Sequence, residues 1–534
     1  MARVACFLFV FALVFGQIYG ESVFRFASVF GNHMVLQKAP MRASVWGYGE
    51  VGEEVVLIHD GEMYRSFITA QVEGESTVGI WTVMLTPTMF GGPYLIKAYS
   101  KVKGTISTIT LTDVMFGDVW MCSGQSNMEF TVVMSDNGAK AINESADYPD
   151  IRLFTAELDC ESTPQLELKK VRLPWSRASP ETVGGPAWQY FSAVCWYYGV
   201  QLYKELGYPI GLVASTWGGT PVEAWSSPDA LASCDIKDNS VIKDNRKFAP
   251  HDLHLFGPRN LSCLWNAMIV PFLNVSIYGA IWYQGEENAE RPLYPYNCTF
   301  PAMIDDWRAK WYDSTTHNTD ETFPFGFVQL SAVGNDTEGQ SFNFAPLRWD
   351  QTAQYGFVPN DRQKNVFMAV AMDLGNPNSP YGSIHPTDKT DVGNRLALAG
   401  LDVAYGRERY YSGPLVDTIK KQTEPPSAAL EVTFKSLNAE IELRSNFGFE
   451  VMCENGTEWL EASILNHSST SVIIMPNMPS CVAVKVRYAW SDDPCPKLKC
   501  AIYSGDLPSP PFVVDGPFEA GDSKLLQRTV GIYA

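Results

Sequence analysis

Positive charge is in short supply in this chain. Lys and Arg number 40 against 59 Asp and Glu, for a formal net charge of -19 and a pI near 4.9. There is no basic run, which excludes nucleic acid as a partner, because its phosphates demand clustered Lys and Arg. Low-complexity tracts are absent too. After the first twenty residues, no window reaches the roughly 20 apolar residues that a membrane span needs. The cysteines include no CxxC pair, so their spacing does not suit a metal site. His is rare, at seven residues, and candidate bases can be taken one at a time.

What is present is an ordinary globular composition, 46% hydrophobic and 19% charged, over 534 residues. That length predicts two or three domains. The acidity reads first as a solubility feature. The 15 Trp and 24 Tyr suit interiors and sugar-stacking surfaces alike. Arg3, the apolar run Val4 to Phe15 and the small residue Gly20 predict a cleaved signal peptide over 1–20. Seven Asn-x-Ser/Thr sequons, at Asn143, Asn260, Asn274, Asn297, Asn335, Asn455 and Asn466, point to N-glycosylation. Once Cys6 leaves with the signal, ten of the 11 cysteines remain, an even number compatible with disulfides. Cys495 and Cys500 straddle a short loop that resembles a clip. These features place the protein in the secretory pathway, lysosomal or extracellular.

Three regions follow. From 21 to 111, short alternating runs such as Ala43–Trp46, Glu54–Ile58 and Tyr94–Ala98, parted by Gly and Pro turns, predict a β-sandwich. From 112 to 408, apolar runs of strand length (Val119–Cys122, Ile210–Ala214, Ile277–Trp282, Val366–Met372) alternate with amphipathic stretches such as Val194–Leu206 and Thr390–Tyr405. That alternation predicts an α/β domain with a mainly parallel sheet covered on both faces, and a ligand crevice beyond the carboxyl ends of its strands. From 409 to 534, β runs return (Leu430–Phe434, Val472–Met475, Ala483–Tyr488) and predict a β-rich domain.

The segments just past those strand ends carry the chemistry. The first strand runs into Ser123-Gly124-Gln125-Ser126-Asn127-Met128. There a turn can expose the Ser126 hydroxyl, and free N–H groups of a helix start can hold an oxyanion. Ser126 and Asn127 are also good helix caps. The second strand ends in Trp217-Gly218-Gly219-Thr220, which is either a tight turn or a backbone donor to the oxyanion. The third ends in Gln284-Gly285-Glu286-Glu287-Asn288, where Asn288 is either an Asx turn or an amide donor. A serine nucleophile needs a base, usually His. His33 and His59 belong to the first β region, His467 to a sequon and His317 to a polar loop. His251 and His254, in a Pro/Gly-bounded loop, are weaker candidates. His385, in Ser383-Ile384-His385-Pro386, falls beyond a strand end, with Pro386 suited to the first turn of the following helix.

Together GQSNM, WGGT, QGE-x-N and IHP resemble the SGNH hydrolases, specifically the sialate O-acetylesterases. FGNHMVLQKAP (Phe30 to Pro40), FGDVWMCSGQSNM (Phe116 to Met128), PIGLVASTWGGTPVEAWSS (Pro209 to Ser227), LWNAMIVP (Leu264 to Pro271), YGSIHP (Tyr381 to Pro386) and VRYAW (Val486 to Trp490) extend the likeness over nearly the whole chain. The resemblance implies an SGNH-type three-layer catalytic domain that hydrolyses acetyl esters on sialic acids, chiefly on the glycerol side chain. It implies Ser126 as nucleophile and His385 as base, with Gly219 (or Gly218) and Asn288 as oxyanion donors beside the Ser126 N–H. No metal or organic cofactor is implied.

This sequence departs from the family in one place. The Asp expected three residues before the catalytic His is replaced by Gly382. Asp373 is the nearest upstream carboxylate, and a backbone carbonyl near Gly382 or Ser383 is the alternative. Arg348 is the candidate partner for the substrate carboxylate, with a surface ion pair as its other reading. Gln125, Trp217 and Trp282 are candidate sugar contacts. The expected partners are O-acetylated sialic acids and sialoglycans, and no obligate protein partner is evident. Two rival functions stay open: an acetylesterase acting on another glycan such as xylan, and a carbohydrate-binding glycoprotein without turnover.

Overall fold

A computed structural model describes residues 24–73, 76–237, 256–334, 342–423, 426, 428–435, 440–454 and 456–519. The expected signal peptide, His251, His254, Asn335 and Asn455 lie outside the described residues. Apolar strands flanked by helices form the middle of the chain. Its strands run in the order Val171–Arg177, Ile151–Ala156, Ile210–Thr216, Thr105–Gly124, Gly279–Tyr283, Phe325–Gln329 and Val366–Val370. All pairs are parallel except the antiparallel edge strand Val171–Arg177. Ile210–Thr216, Gly279–Tyr283, Phe325–Gln329 and Val366–Val370 are buried along their whole length. That is why they read as continuous apolar runs rather than alternating ones.

Strand order reverses at Thr105–Gly124. Strands that follow it directly in the chain lie on one side, and later ones lie on the other. A crevice is expected beside the carboxyl end of such a strand, and Ser126 sits two residues past it. The helix Ala193–Leu206 is capped by the Ser192 hydroxyl, which accepts from Cys195 N, and is closed by left-handed Gly207. It packs on the helix Lys389–Val403. The Cys122–Cys195 disulfide ties it to the strand Thr105–Gly124, which leads into Ser126.

Thr105–Gly124 is 20 residues long and runs unbroken through residue 111. Its first half pairs with Gly91–Val102 in the N-terminal β region, and its second half lies in the central sheet. The Phe30 to Pro40 segment locks this junction. Val35–Gln37 pairs in parallel with Met115–Gly117. Gln37 donates to buried Asp118, which also accepts from the Tyr208 and Tyr405 hydroxyls. The C-terminal region holds a seven-stranded antiparallel sheet from Leu415–Lys421 to Phe512–Asp515, beside a three-stranded one.

All ten cysteines among the described residues are paired: Cys122–Cys195, Cys160–Cys263, Cys234–Cys298, Cys453–Cys481 and the expected clip Cys495–Cys500. Asn143, Asn260 and Asn466 are exposed, and Asn274 and Asn297 half-exposed. Among the described residues, no helix is long and apolar enough to cross a membrane.

Candidate active site

The strand Thr105–Gly124 ends on a residue that must be glycine. Gly124 has φ +137°, and a Cβ there would sit 2.2 Å from the Tyr283 carbonyl oxygen. This close approach lets Gln125 N donate to Tyr283 O at 3.0 Å and turns the chain into the short helix Ser126–Glu129. Ser126 is therefore a first-turn residue. The His385 loop meets it, with His385 Nε2 2.8 Å from Ser126 Oγ. The other ring nitrogen, Nδ1, lies 2.8 Å from the Tyr381 carbonyl oxygen. A carbonyl only accepts, so Nδ1 carries the proton and Nε2 presents its lone pair to the hydroxyl. Burial pushes the His385 imidazole down to about 4; the Tyr381 carbonyl opposes that shift and the Lys389 ammonium adds to it.

Asp373 is not the group that orients the imidazole. Its carboxylate accepts from Arg395 at 2.6 and 3.0 Å and from the Tyr503 hydroxyl at 2.8 Å. Its burial and its place at a strand end serve the seam with the C-terminal region. The alternative, a backbone carbonyl, is the arrangement observed, supplied by Tyr381.

Arg348 is also corrected. It is fully buried and donates to the carbonyls of Leu330, Ser331, Ser491 and Asp492. Having no exposed surface, it cannot meet a substrate carboxylate, and it fastens the Ser491–Asp492 turn to the end of the Phe325–Gln329 strand.

Gly219 stands as expected at the turn after Ile210–Thr216, with φ +65°. Its N–H makes no hydrogen bond among the described residues, whereas Gly218 N donates to Glu129 Oε2 at 2.8 Å. Of the two glycines, only Gly219 has an N–H left for an oxyanion. Asn288 reaches the same end of the sheet with its amide already engaged. Nδ2 donates to Glu223 at 2.9 Å, and Oδ1 accepts from Val222 N and Gln284 Nε2. In this arrangement it braces the turn that carries Gly219 rather than serving as a donor. Burial pushes the Glu223 carboxyl up to about 7, against the pull of Asn288.

Gln125 is buried, and its Oε1 accepts from Gly285 N and Glu287 N, so it ties two loops together rather than facing a sugar. Trp282 is core, packed on Trp225 and Trp307. Trp217 is half-buried and donates its backbone N–H to Gly124 O at 3.1 Å, which leaves it beside the site.

Four residues not singled out from the sequence belong to the site. Tyr381 supplies the carbonyl. Trp188, partly exposed at φ +65°, sets its ring edge-on to His385 at 5.4 Å. Lys389 is fully buried and donates to Asn127 Oδ1 and Pro386 O. Ser379 donates to His385 O at 2.6 Å. No spacing in the sequence marks a carbonyl or a lone Trp, and Lys389 reads there as an ordinary first-turn residue. Pro386 lies before the helix, whose cap is Asp388.

An alcohol hydrogen-bonded to a neutral imidazole, beside first-turn and glycine N–H groups, is equipped for acyl transfer. No cluster able to hold a metal ion occurs among the described residues.

Comparison with known proteins agrees. Residues 116–400 match the family model described as carbohydrate esterase, sialic acid-specific acetylesterase, and residues 419–516 match the sialate O-acetylesterase C-terminal domain. The chain is 40% identical to a sialate O-acetylesterase of Rattus norvegicus, over 92% of this chain and 94% of the relative. It is 39% identical to the Homo sapiens protein of that name, over 92% of each. A solved carbohydrate acetylesterase from Xanthomonas citri superposes with a TM-score of 0.72 at 28% identity, covering 92% of this chain and 99% of that one.

Proposed function

The chain belongs to the sialate O-acetylesterase family of carbohydrate esterases, and on that premise we propose that it removes O-acetyl groups from sialic acids through an acyl-Ser126 intermediate. The contact between Ser126 Oγ and His385 Nε2 at 2.8 Å carries the reading. The hydroxyl oxygen attacks the acetyl carbonyl carbon as its proton passes to Nε2. The N–H groups of Ser126 and Gly219 receive the oxyanion, and each such donor is commonly worth about 3 kcal/mol. The imidazolium then protonates the departing sugar oxygen, freeing the sialic acid hydroxyl. Water, deprotonated by the same nitrogen, releases acetate and restores the serine. Tyr381 O holds Nδ1–H throughout and stabilises the imidazolium, so the unit is a dyad completed by a carbonyl.

The central sheet and its helices are read as the three-layer SGNH unit, over 112–408, between a β-sandwich at 21–111 and a β-rich unit at 409–534. Trp217 is the sugar contact we retain. Five disulfides suit an oxidising compartment. We therefore place the protein in the secretory pathway, lysosomal or extracellular, carrying N-glycans on its exposed sequons. A second reading, esterase action on another acetylated glycan, has one observation behind it: the Xanthomonas relative is described only as a carbohydrate acetylesterase. Both are tested by comparing mono-acetylated sialic acid isomers with acetylated xylan oligomers. The sialic reading expects release of acetate from the former, abolished by Ser126→Ala. Xylan turnover with inert sialic acids would overturn it, and full activity in Ser126→Ala would overturn the esterase mechanism itself.

A further inference from the structure

Three consecutive carbonyls around the base are each held by a different buried side chain. Ile384 O accepts from Asn127 Nδ2 at 2.9 Å, His385 O from Ser379 Oγ at 2.6 Å and Pro386 O from Lys389 Nζ at 2.7 Å. Two of these donors are joined, because Lys389 Nζ also donates to Asn127 Oδ1 at 2.6 Å. Asn127 is the residue after the nucleophile. One hydrogen-bonded unit thus spans the two loops that must meet, gripping the His385 loop on either side of the imidazole. On the far side Asn127 Nδ2 donates to Glu286 Oε1 at 2.6 Å, while Glu286 Oε2 has no partner among the described residues. Lys389 lies over the faces of Phe130 at 4.7 Å and Tyr283 at 5.4 Å. A lysine buried this completely is kept only where it has partners and a task.

We propose that Lys389 is a positioning residue of the esterase centre: through Asn127 and Pro386 O it fixes the His385 loop over Ser126, and its buried cation sets a positive charge against the imidazole. The proposal rests on the Ser126–His385 reading and extends it.

The groups facing the pair are few. His385 meets Ser126, the Tyr381 carbonyl, the Trp188 ring and the field of Lys389. Lys389 faces Glu286, and Asp388 and Asp136 add attraction from farther off. Lys497 lies 2.8 Å from Asp388 and 3.7 Å from Asp136 and offsets both. Burial lowers the Lys389 ammonium to about 7, and Glu286 opposes that shift. At acid pH Lys389 is therefore charged, the condition in which a base is most easily lost to protonation. A neighbouring cation disfavours the imidazolium, so the device keeps the base working in acid.

The test is the pH profile of kcat/KM for the full chain on a chromogenic acetyl ester. Lys389→Met is expected to move the acid limb up by about one pH unit and to lower kcat roughly 10- to 100-fold, with KM little changed. Lys389→Arg keeps the charge and should return the limb towards its wild-type place. Ser379→Ala frees the same loop without touching a charge, so it should lower kcat and leave the limb in place. If Lys389→Met does not fold, Lys389→Gln gives the same reading. An acid limb unmoved in the neutral variants, or equally moved in Ser379→Ala, overturns the proposal. Neither result touches the nucleophile assignment, which falls only if Ser126→Ala stays active.

Discussion

Replacing Asp373 by Asn separates two accounts of how the imidazole is held. Were this carboxylate the third member of a triad, its amide would favour the wrong tautomer and lower kcat by about 10⁴-fold. The structure argues otherwise, since both carboxylate oxygens are taken by Arg395 and the Tyr503 hydroxyl while Nδ1–H goes to Tyr381 O. Asp373 is 0% exposed and Arg395 6%, so the substitution leaves a buried guanidinium without its counter-charge. Breaking such a pair from one side costs about 3–5 kcal/mol. For a cooperative unit of roughly 300 residues that is a drop of about 5–8 °C in Tm. The Asn side chain still accepts from one donor, which places the expectation at the lower end. The assays are thermal unfolding and kcat on a chromogenic acetyl ester at 25 °C, well below either transition. The expected result is a lower Tm with kcat within about threefold of wild type, because the dyad geometry does not pass through Asp373. A fall of a thousandfold in kcat with Tm unchanged would refute the carbonyl-held dyad.

Three further outcomes follow from the same geometry. His385 ordinarily titrates near 6.5 but is pushed down to about 4 when folded. Its neutral form is thus favoured by folding, so stability is full above about 6.5 and falls as pH drops towards 4, by about 3 kcal/mol. Because the buried Glu223 and Glu286 carboxyls, raised to about 7, act in the opposite sense over this range, the fall is read as the difference between wild type and His385→Ala in urea unfolding at pH 7 and pH 4.5, and the variant should also lose activity. Arg348→Met should lower stability by about 3–5 kcal/mol, because four carbonyls, those of Leu330 and Ser331 buried, lose their donor, without a selective rise in KM for sialylated substrates. A KM effect confined to sialic acid in a stably folded variant would restore Arg348 as a carboxylate contact. Gly124→Ala places a Cβ 2.2 Å from Tyr283 O and should cost about 100-fold or more in kcat by displacing Ser126; wild-type turnover would show that the turn tolerates the methyl.

The strands and helices that carry the site were legible because burial on both faces writes an unmistakable pattern. The apolar runs Val366–Met372 and Ile210–Ala214 fall within two residues of the observed strands, and the amphipathic stretch Val194–Leu206 within one of its helix. Ser126 and His385 were legible for another reason: a small apolar scaffold ends abruptly in glycine, and seven histidines leave few places for a base. What failed were assignments of partner. Arg348 and Asp373 suit, by chemistry alone, a substrate carboxylate or a triad, yet each hydrogen-bonds across the seam with the C-terminal region. The domain that supplies Ser491 and Tyr503 lies more than a hundred residues away in the chain. Local patterning contains nothing of that distance.

Which segments are strands, which loops stand at their carboxyl ends, and that a hydroxyl and an imidazole occur among them are all legible in the order of residues. Residue type and periodicity respond to burial, and burial is what strands and helices share along their own length. Which polar atoms meet is set by the packing of segments that are distant in the chain. A carbonyl at Tyr381 does an orienting task otherwise given to a carboxylate, and a lysine at 389 reaches an asparagine 262 positions earlier. Hydrogen bonds depend on distances of a few tenths of an ångström between chain segments brought together by packing, and backbone carbonyls, identical at every residue, leave no mark in the sequence of letters.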